Sequence, residues 1–370
     1  MSNRIVFGLM SSYESPDCVR QLVDALSPFR VLVHHDTSKR PDPCINLPNA
    51  RSVPDPALTG WGSWGFSQAI LRTLTYALEQ HDFDYFQLLS PSCLPIRPLA
   101  DFQAHVNRND ADIHADLMPV DADDTMLMNF GYRTYLAGRT LRFRVLRRVR
   151  GWYFGDHPAL LQTHSLSVLR RPMDGTGGSV IARQAGLALT RMAAASALSA
   201  HPFGEGWRPM IGSTWFGARR SVCEYLVDSA RNDPRIDHFR RLHIVDESMF
   251  STMLGNSGFR IRPSNHAVNA FDAQGHPRVI GASDLHRLES TGRFFARKFS
   301  AHADDPARQW ALEAAQGSGR ADGYAAAFDP AHLVGHQNED EQGNRQAHSQ
   351  PERTHGVSRL PLVAHHEEER

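Results

Sequence analysis

The sequence predicts an α/β domain with a mostly parallel central sheet flanked by helices. Three short apolar runs, at 5–10, 29–34 and 85–89, are rich in strand-forming residues. The third run has a single polar interruption, Gln87, which is typical of a parallel strand buried under helices on both faces. Helical apolar patterns lie between the runs, and strands that alternate with helices form parallel sheets.

The first helix is predicted between the first two runs. Ser15 is a suitable N-cap and Pro16 suits the first helical position. The apolar stripe that follows consists of Val19, Leu22, Val23 and Leu26. The second strand leads into Asp36, and nucleotide-binding halves built as β-α-β place an acidic residue there to meet a ribose or base. A solvated loop aspartate is the alternative interpretation of Asp36.

The second helix should precede the central strand. Residues 40–56 are rich in proline and polar side chains, so they are predicted to form a loop. Ser67 is predicted to cap the helix that follows, whose apolar residues include Ile70, Leu71, Leu74 and Ala77. The central strand then stops at Ser90–Pro95, where proline forces the chain out of the sheet. Since ligands bind outside the carboxyl ends of parallel strands, this turn either borders a site or is an ordinary proline-rich turn.

Five short blocks carry a family resemblance. They are Val-His-His-Asp (33–36), Trp-Gly-Phe-Ser (64–67), Leu-Leu-Ser-Pro-Ser-Cys-Leu-Pro (88–95), Gly-Ser-Thr-Trp-Phe (212–216) with Asp-Glu-Ser-Met-Phe (246–250), and Phe-Ala-Arg-Lys-Phe (295–299). In this order they resemble the Core-2/I-branching enzyme family, which includes β-1,6-N-acetylglucosaminyltransferases and peptide O-xylosyltransferases. The resemblance implies a GT-A-like nucleotide-sugar-binding fold and inverting transfer of GlcNAc or xylose from a UDP-sugar to a glycan.

The resemblance also assigns the catalytic and acceptor-binding residues. The family's catalytic base falls on Glu247, which stands beside Asp246 at the start of a predicted apolar helix. Asp246 is assigned to acceptor binding. It is also a good N-cap, so a purely structural acidic first turn is the alternative. Trp215 lies in the block that borders the acceptor sugar in the family, where it would offer an aromatic face to a pyranose ring. A core tryptophan is the other interpretation.

Donor binding is assigned in the same way. The family lysine that contacts the diphosphate falls on Lys298, next to Arg297, and a generic basic surface pair is the alternative. Arg278 is the nearest candidate for a second family cation, although its spacing to the following residues is shorter than in animal relatives. The resemblance places Asp36 near the uridine, and Ser90 lies at the donor side of the central strand.

No metal cofactor is expected for the reaction. The family works without an Asp-x-Asp motif, and here Cys93 occupies the position where the family usually has aspartate. Fixed cations must then neutralise the leaving diphosphate. Asp121 and Asp123 form an Asp-x-Asp pair that invites the opposite hypothesis, a metal-dependent GT-A enzyme. A non-catalytic glycan- or nucleotide-binding member of the fold is a further alternative, because fold alone does not guarantee activity.

Composition narrows the partners and the compartment. Basic and acidic residues both number 40, so nothing in the net charge indicates a nucleic-acid partner. No signal peptide or membrane span is recognisable, and the four cysteines lie far apart, which together predict a cytoplasmic protein. The basic stretch Arg139–Arg150 is either a solvated helix or a peripheral contact with the inner face of the membrane, where a lipid-linked saccharide acceptor would lie.

The predicted glycosyltransferase domain covers 1–300, with a nucleotide-sugar half at 1–100 and an acceptor and catalytic half at 210–300. A helical extension at 301–336 follows, in which Asp305 and Pro306 are expected to start a helix. The polar segment 337–370 is predicted to be disordered, because it contains too few apolar residues to offset the entropy of ordering.

Overall fold

The computed structural model describes residues 4–42, 47–60, 62–120, 203, 206–240, 242, 244–271 and 277–318. These residues fall within one compact unit, Met1–Ala326. The predictions made for Asp121, Asp123, Arg139–Arg150 and 337–370 lie outside the described residues. In the part of the chain that is described, no helix is long and apolar enough to cross a membrane.

A seven-stranded sheet forms the centre of the fold. Its strands are β1 (Ile5–Ser11), β2 (Arg30–His35), β3 (Ala50–Ser52), β4 (Tyr85–Leu89), β6 (Ile113–Pro119), β7 (Met210–Arg219) and β8 (Ile261–Arg262). Their spatial order is β3-β2-β1-β4-β7-β6-β8, and β7 is antiparallel to both of its neighbours, β4 and β6. The pairs β1–β2, β1–β4, β2–β3 and β6–β8 are parallel. This arrangement confirms the predicted GT-A-like α/β fold.

A second, three-stranded sheet lies beyond the end of β4. It contains β5 (Leu94–Pro95), β9 (Ala267–Asn269) and β10 (Phe295–Arg297), in the order β5-β10-β9. Strand β10 pairs antiparallel with β5 and parallel with β9. Because β5 follows the turn at the carboxyl end of β4, this small sheet brings residues of β10 close to the edge where a ligand is expected.

Eight helices accompany these strands in the described ranges. They are α1 (Pro16–Ala25), α2 (Trp64–Gln80), α3 (Leu99–Arg108), α4 (Arg220–Asn232), α5 (Ile236–Phe239), α6 (Val245–Gly255), α7 (Leu285–Ser290) and α8 (Pro306–Ala315). The Ser15 hydroxyl accepts a hydrogen bond from the Cys18 amide, and the Asp305 carboxylate accepts from the Ala307 amide. Both predicted N-caps are therefore confirmed.

The predicted start of α2 was wrong. The helix begins at Trp64 after Ser63, so Ser67 lies in the first turns instead of capping them. Ser67 is fully buried. In the first turn, the backbone of Gly65 lies close against the Leu58 carbonyl oxygen. A Cβ at this position would lie 2.0 Å from that oxygen, so only glycine fits here. The close approach of a loop backbone, which local propensity does not reveal, thus sets the beginning of this helix.

The hydrophobic core consists of two clusters, one on each face of the main sheet. The first contains Phe86, Phe216 and Phe250 together with apolar residues of α2, α4 and α6. The second contains Phe7 and Phe295 with residues of α1, α3 and α8, including the fully buried Trp310. A sheet covered on both faces explains why β1 and β4 read as nearly continuous apolar runs.

Candidate active site

The carboxyl ends of β1, β2 and β4 form one edge of the main sheet, where the candidate site lies. The Asp36 amide donates to the Ser11 carbonyl over 3.0 Å, and the Ser11 hydroxyl lies 3.0 Å from His35 Nδ1. Just after β1, Glu14 accepts from the Ser12 amide at 2.9 Å. These contacts tie adjacent strand ends together, so the edge is a rigid platform of the kind that positions ligands in open α/β sheets.

Asp36 is fully buried and uses both carboxylate oxygens within its own loop. Oδ1 accepts from the Ser38 amide and hydroxyl at 3.0 and 2.6 Å, and Oδ2 accepts from the Thr59 amide and hydroxyl, both at 2.6 Å. Burial by itself raises the pKa of Asp36, but these hydrogen bonds outweigh it and hold the pKa below its usual range. Asp36 therefore organises the loop that follows β2, and its contact with uridine stays a prediction.

The loop held by Asp36 leads into α2, and it also hydrogen-bonds to the residue before helix α6. After Thr59 the chain turns, with the Ser63 amide donating to the Gly60 carbonyl at 3.0 Å. The Ile244 amide then donates to the Gly62 carbonyl at 2.7 Å. Hydrogen bonds through this turn therefore link the Asp36 carboxylate to the start of the helix that carries Glu247.

The turn after β4 lies at the same edge of the sheet, and its role in bordering a ligand stays a prediction. The Ser90 hydroxyl lies 2.9 Å from the Ser92 hydroxyl and 3.4 Å from the Cys93 sulfur. The Phe299 amide donates to the Ser92 carbonyl at 2.9 Å, which fixes the end of β10 against this turn. Cys93 is buried. The turn therefore holds Ser90 and the residues after β10 side by side.

Arg297 lies at the centre of the candidate site. Its guanidinium carbon is 4.7 Å from the centroid of the Trp215 ring, which is a cation–π distance. Burial lowers the pKa of Arg297, while the neighbouring Cys93 thiol and the carboxylates of Glu247 and Glu14 counteract part of that shift. An arginine remains charged in proteins. The site thus contains a fixed cation that is partly withdrawn from water.

Trp215 occupies the middle of β7 and is only 8% exposed. Arg297 covers one side of its ring, and Phe66 makes an edge contact with a centroid separation of 6.4 Å. The aromatic face that Trp215 was expected to offer to a sugar is therefore in contact with a cation on one side. Its stacking on an acceptor sugar stays a prediction.

Glu247 and Asp246 lie in the first turn of α6, with exposures of 9% and 7%. The expected N-cap role of Asp246 is wrong, because the cap position is held by Ile244 and the helix starts at Val245. Asp246 instead accepts a 2.5 Å hydrogen bond from the Thr214 hydroxyl of β7. Both carboxylates are also close to the positive end of the helix dipole, which favours their charged forms.

Helix α6 is buried on every side from Val245 to Leu254. A helix buried all round is normally apolar, and buried carboxylates are costly unless they are paired or hydrogen-bonded. The backbone before it is also unusual: Ile244 has φ of 53°, a left-handed conformation that is rare for a β-branched residue. Strained backbone of this kind clusters at functional sites, and here it immediately precedes the helix that carries the candidate base.

Lys298 follows Arg297 directly and is half-buried. Its carbonyl accepts from the Ile280 amide at 2.8 Å, so the segment containing Arg278 runs beside it. Arg278 donates to both oxygens of Asp284, at 2.7 and 2.5 Å. Arg278 therefore forms an ion pair with Asp284 next to the site. Its contact with a diphosphate stays a prediction.

The structure brings Ser90, Trp215, Glu247 and Arg297, with the adjoining Lys298, to one edge of the sheet. Sequence reasoning missed residues that support them, namely Thr59, Thr214 and His34. The buried His34 imidazole accepts from the Ala57 amide at 2.8 Å, and burial lowers its pKa to about 4, so it is neutral. Side chains alternate between the two faces of a strand, so the sequence of β7 places Thr214 on the same face as Phe216, toward α6. This alternation could have identified Thr214.

This arrangement is chemically suited to group transfer. It combines a carboxylate able to take a proton, Glu247, with two cations able to hold an anionic leaving group, Arg297 and Lys298. The site lies at the carboxyl edge of the parallel strands, where a nucleotide would enter. Each group is anchored by a different element, so their relative positions are set by the tertiary structure.

Comparison with known families gives an independent finding. The model of the Core-2/I-branching enzymes matches residues 19–116, from α1 into β6. This segment includes Asp36 and Ser90 but ends before Trp215, Glu247 and Lys298. No curated protein matches the chain. Core-2/I-branching enzymes are glycosyltransferases, and the match over residues 19–116 supports the resemblance of this chain to that family.

Proposed function

We propose that the protein is an inverting glycosyltransferase that moves GlcNAc or xylose from a UDP-sugar to a hydroxyl of a glycan, with Glu247 as general base and without a divalent metal. The observation that carries this proposal is the position of Glu247. It lies in the first turn of a fully buried helix, close enough to the Arg297 cation to influence its pKa. Two opposite charges in a shielded site at a ligand-binding edge favour catalysis over a purely structural role.

The reaction would proceed as a single displacement. The Glu247 carboxylate takes the proton of the acceptor hydroxyl while that oxygen forms a bond to the anomeric carbon of the donor sugar. The bond between the anomeric carbon and the diphosphate oxygen breaks at the same time, and UDP leaves with the electron pair. Attack from the face opposite the leaving group inverts the configuration at the anomeric carbon.

The leaving diphosphate needs positive charge at a fixed place. Lys298 would supply a point charge, and Arg297, held against Trp215, would supply planar hydrogen-bond donors. Cys93 takes the place of a family aspartate beside these cations, which removes one carboxylate that could repel the diphosphate. This substitution supports a metal-free mechanism, and it changes the chemical groups that the donor sugar would meet.

Two other functions remain to be separated by experiment. A metal-dependent enzyme would use Asp121 and Asp123, and a binding protein would hold a nucleotide sugar or glycan without transfer. A lipid-linked saccharide at the inner face of the membrane is the acceptor that a contact through Arg139–Arg150 would favour. We place the reaction in the cytoplasm, because UDP-sugars are the proposed donors and all three mapped cysteines are free thiols.

The test is a panel of nucleotide sugars followed by a turnover assay. UDP-GlcNAc, UDP-xylose, UDP and CMP are compared by thermal shift, where a ligand at 100 times its Kd adds about 2.7 kcal/mol of stability. The UDP-sugar that stabilises the protein is then incubated with candidate glycans, and release of UDP is followed. We expect UDP-linked stabilisation and UDP release that depends on an acceptor. Binding without release would support the non-catalytic alternative.

The metal question is tested on the same assay. Turnover is measured after chelation, and then with Mg²⁺ or Mn²⁺ restored. We expect chelation to leave UDP affinity and transfer unchanged at a temperature well below the melting transition. Loss of both, restored by Mg²⁺ or Mn²⁺, would overturn the metal-free mechanism and favour Asp121 and Asp123.

A further inference from the structure

Three histidines meet at the opposite end of β4 from the candidate active site. His105 comes from α3, His114 from β6 and His266 from the segment just before β9. His114 and His266 contact Tyr85, the first residue of β4, whereas Ser90 follows the last. At ~3.3 Å per residue, the two ends of this strand are ~16 Å apart, so the histidine cluster is separate from the candidate active site.

The three imidazoles are close enough to share one ion. Each histidine offers one ring nitrogen, and these three nitrogens all lie within 4.8 Å of one another. The rings of His114 and His266 have centroids 4.2 Å apart, and His105 lies 5.3 Å from His266. A tetrahedral ion at ~2.0 Å from each nitrogen would separate the nitrogens by ~3.3 Å, so small ring rotations, chiefly of the half-buried His105, would close the site.

Tyr85 binds two of the rings. Its hydroxyl lies 2.9 Å from His114 Nδ1 and 2.9 Å from His266 Nε2. Gly217 of β7 leaves the space for that hydroxyl, since a Cβ there would lie 2.1 Å from it. Metal-ligating histidines usually bond a second group through their other ring nitrogen, which fixes the ring orientation. Tyr85 would do this for both histidines with His114 ligating through Nε2 and His266 through Nδ1.

His114 has one nitrogen that these contacts leave unsatisfied. The side chain is 1% exposed, and its Nε2 has no hydrogen-bond partner among the described residues. A buried polar atom without a partner costs ~1–3 kcal/mol of stability, so it needs an explanation. An ion bound at this nitrogen would supply one. His266 also has an unusual backbone, with φ of 65°, which fixes its ring among the others.

The surroundings decide which class of ion would bind. Burial lowers the pKa of all three histidines, that of His114 to about 4, so the rings are neutral at neutral pH. The cluster contains no carboxylate, and Mg²⁺ or Ca²⁺ require oxygen ligands. Arg219 and Arg262 add positive charge nearby, which disfavours cations held only by electrostatics. Ions that form strong bonds to imidazole nitrogen, such as Zn²⁺, Co²⁺ and Ni²⁺, are the class that fits.

We propose that His105, His114 and His266 form a structural binding site for a divalent transition-metal ion of the zinc class. Tyr85 orients the ligating rings, and water completes the coordination. The ion would join the consecutive elements α3 and β6 to the segment before β9, which lies far along the chain. It would stabilise the fold at the amino end of β4 and take no part in sugar transfer. The site is thus independent of the proposed function and distinct from any Asp-x-Asp metal.

The experiment uses the full chain, freed of metal by a chelator and then dialysed. Zn²⁺, Co²⁺ or Mg²⁺ is added in excess, and the Tm is measured for the wild type, His105→Gln and the control His286→Ala. His105 is half-buried, and its imidazole has a long 3.4 Å hydrogen bond to Asn109 on the same helix, so its replacement by glutamine should be tolerated. His286 is exposed on α7. Histidines in 337–370 are common to all three proteins and cancel in the comparison.

We expect Zn²⁺ to raise the Tm of the wild type and of His286→Ala by about 5 °C, and that of His105→Gln by much less. Mg²⁺ should have no effect. Co²⁺ should give the visible absorption of a tetrahedral nitrogen site in the wild type, a readout that does not depend on the variant folding. The proposal is overturned if Zn²⁺ leaves the wild-type Tm unchanged, if Co²⁺ gives no such band, or if His105→Gln responds like the wild type.

Discussion

The guanidinium of Arg297 stacks on the indole of Trp215 at 4.7 Å from the ring centroid, within electrostatic range of the carboxylate of Glu247. This contact joins the small sheet, through β10, to the antiparallel strand β7 of the main sheet. It holds a cation in a partly desolvated place, where its interaction with an anionic ligand is stronger than in water. The predictions below test what this arrangement does.

Replacing Arg297 should weaken donor binding. Arg297→Gln removes the charge, and losing a hydrogen bond to a charged group costs about 1.5–3 kcal/mol, or roughly a 10- to 100-fold rise in the Kd of UDP. Isothermal titration with UDP measures the change. Arg287→Gln, an exposed position on α7, is the matched control. An unchanged UDP affinity in a folded Arg297→Gln protein would remove Arg297 from the donor site.

Lys298 is expected to contact the diphosphate directly. Lys298→Ala should raise the Kd of UDP and should also reduce its dependence on salt, because one ion pair is lost. Lys298→Arg keeps the charge and should restore much of the affinity. If Lys298→Ala binds UDP as tightly as the wild type at low and high salt, the lysine lies outside the site.

Asp36 should contribute stability that depends on pH. Its pKa is lower in the folded protein than the ordinary value of 3.8, so the stabilisation is fully present above that value and is lost as the pH falls through the folded pKa. The Tm difference between the wild type and Asp36→Asn should therefore be constant from pH 5 to 7 and shrink below about pH 4. A difference that grows on acidification would contradict this role.

Gly65 should be required for packing at the start of α2. Gly65→Ala places a Cβ against the Leu58 carbonyl, and such overpacking typically costs about 1–3 kcal/mol. Gly281→Ala is the control, since nothing lies within 4 Å of its Cβ position and its φ is −116°. Chemical denaturation of both variants measures the effect. Equal stability of the two would mean that the loop moves aside at little cost.

Much of this fold was predictable because it depends on local patterns. Apolar runs gave β1, β2 and β4, and Ser15 with Pro16 gave the start of α1. The start of α6 was not predictable, because a loop contact at Ile244 sets it and leaves Asp246 inside the helix. Hydrogen-bond partners such as Thr59 for Asp36 are equally invisible in local sequence.

The histidine cluster illustrates the same limit. His105, His114 and His266 have no spacing that indicates a shared site, because three separate elements bring them together. For the candidate active site, the family blocks supplied the predicted residues, since a motif keeps side chains in register with their strands. A motif does not specify the contact partner of each side chain. Trp215 contacts Arg297, and Arg278 pairs with Asp284, and neither contact could be predicted from the motifs.

The most direct test of the central claim is the rate of sugar transfer by Glu247→Gln, measured with UDP affinity on the same preparation. Glutamine keeps the size of the side chain but does not accept the proton, and loss of a positioned base costs about 10²- to 10⁴-fold in rate. The exposed Glu224→Gln on α4 is the control. We predict that transfer falls by this factor while UDP binding and Tm stay near wild type. A folded Glu247→Gln protein that transfers sugar at close to the wild-type rate would contradict the account.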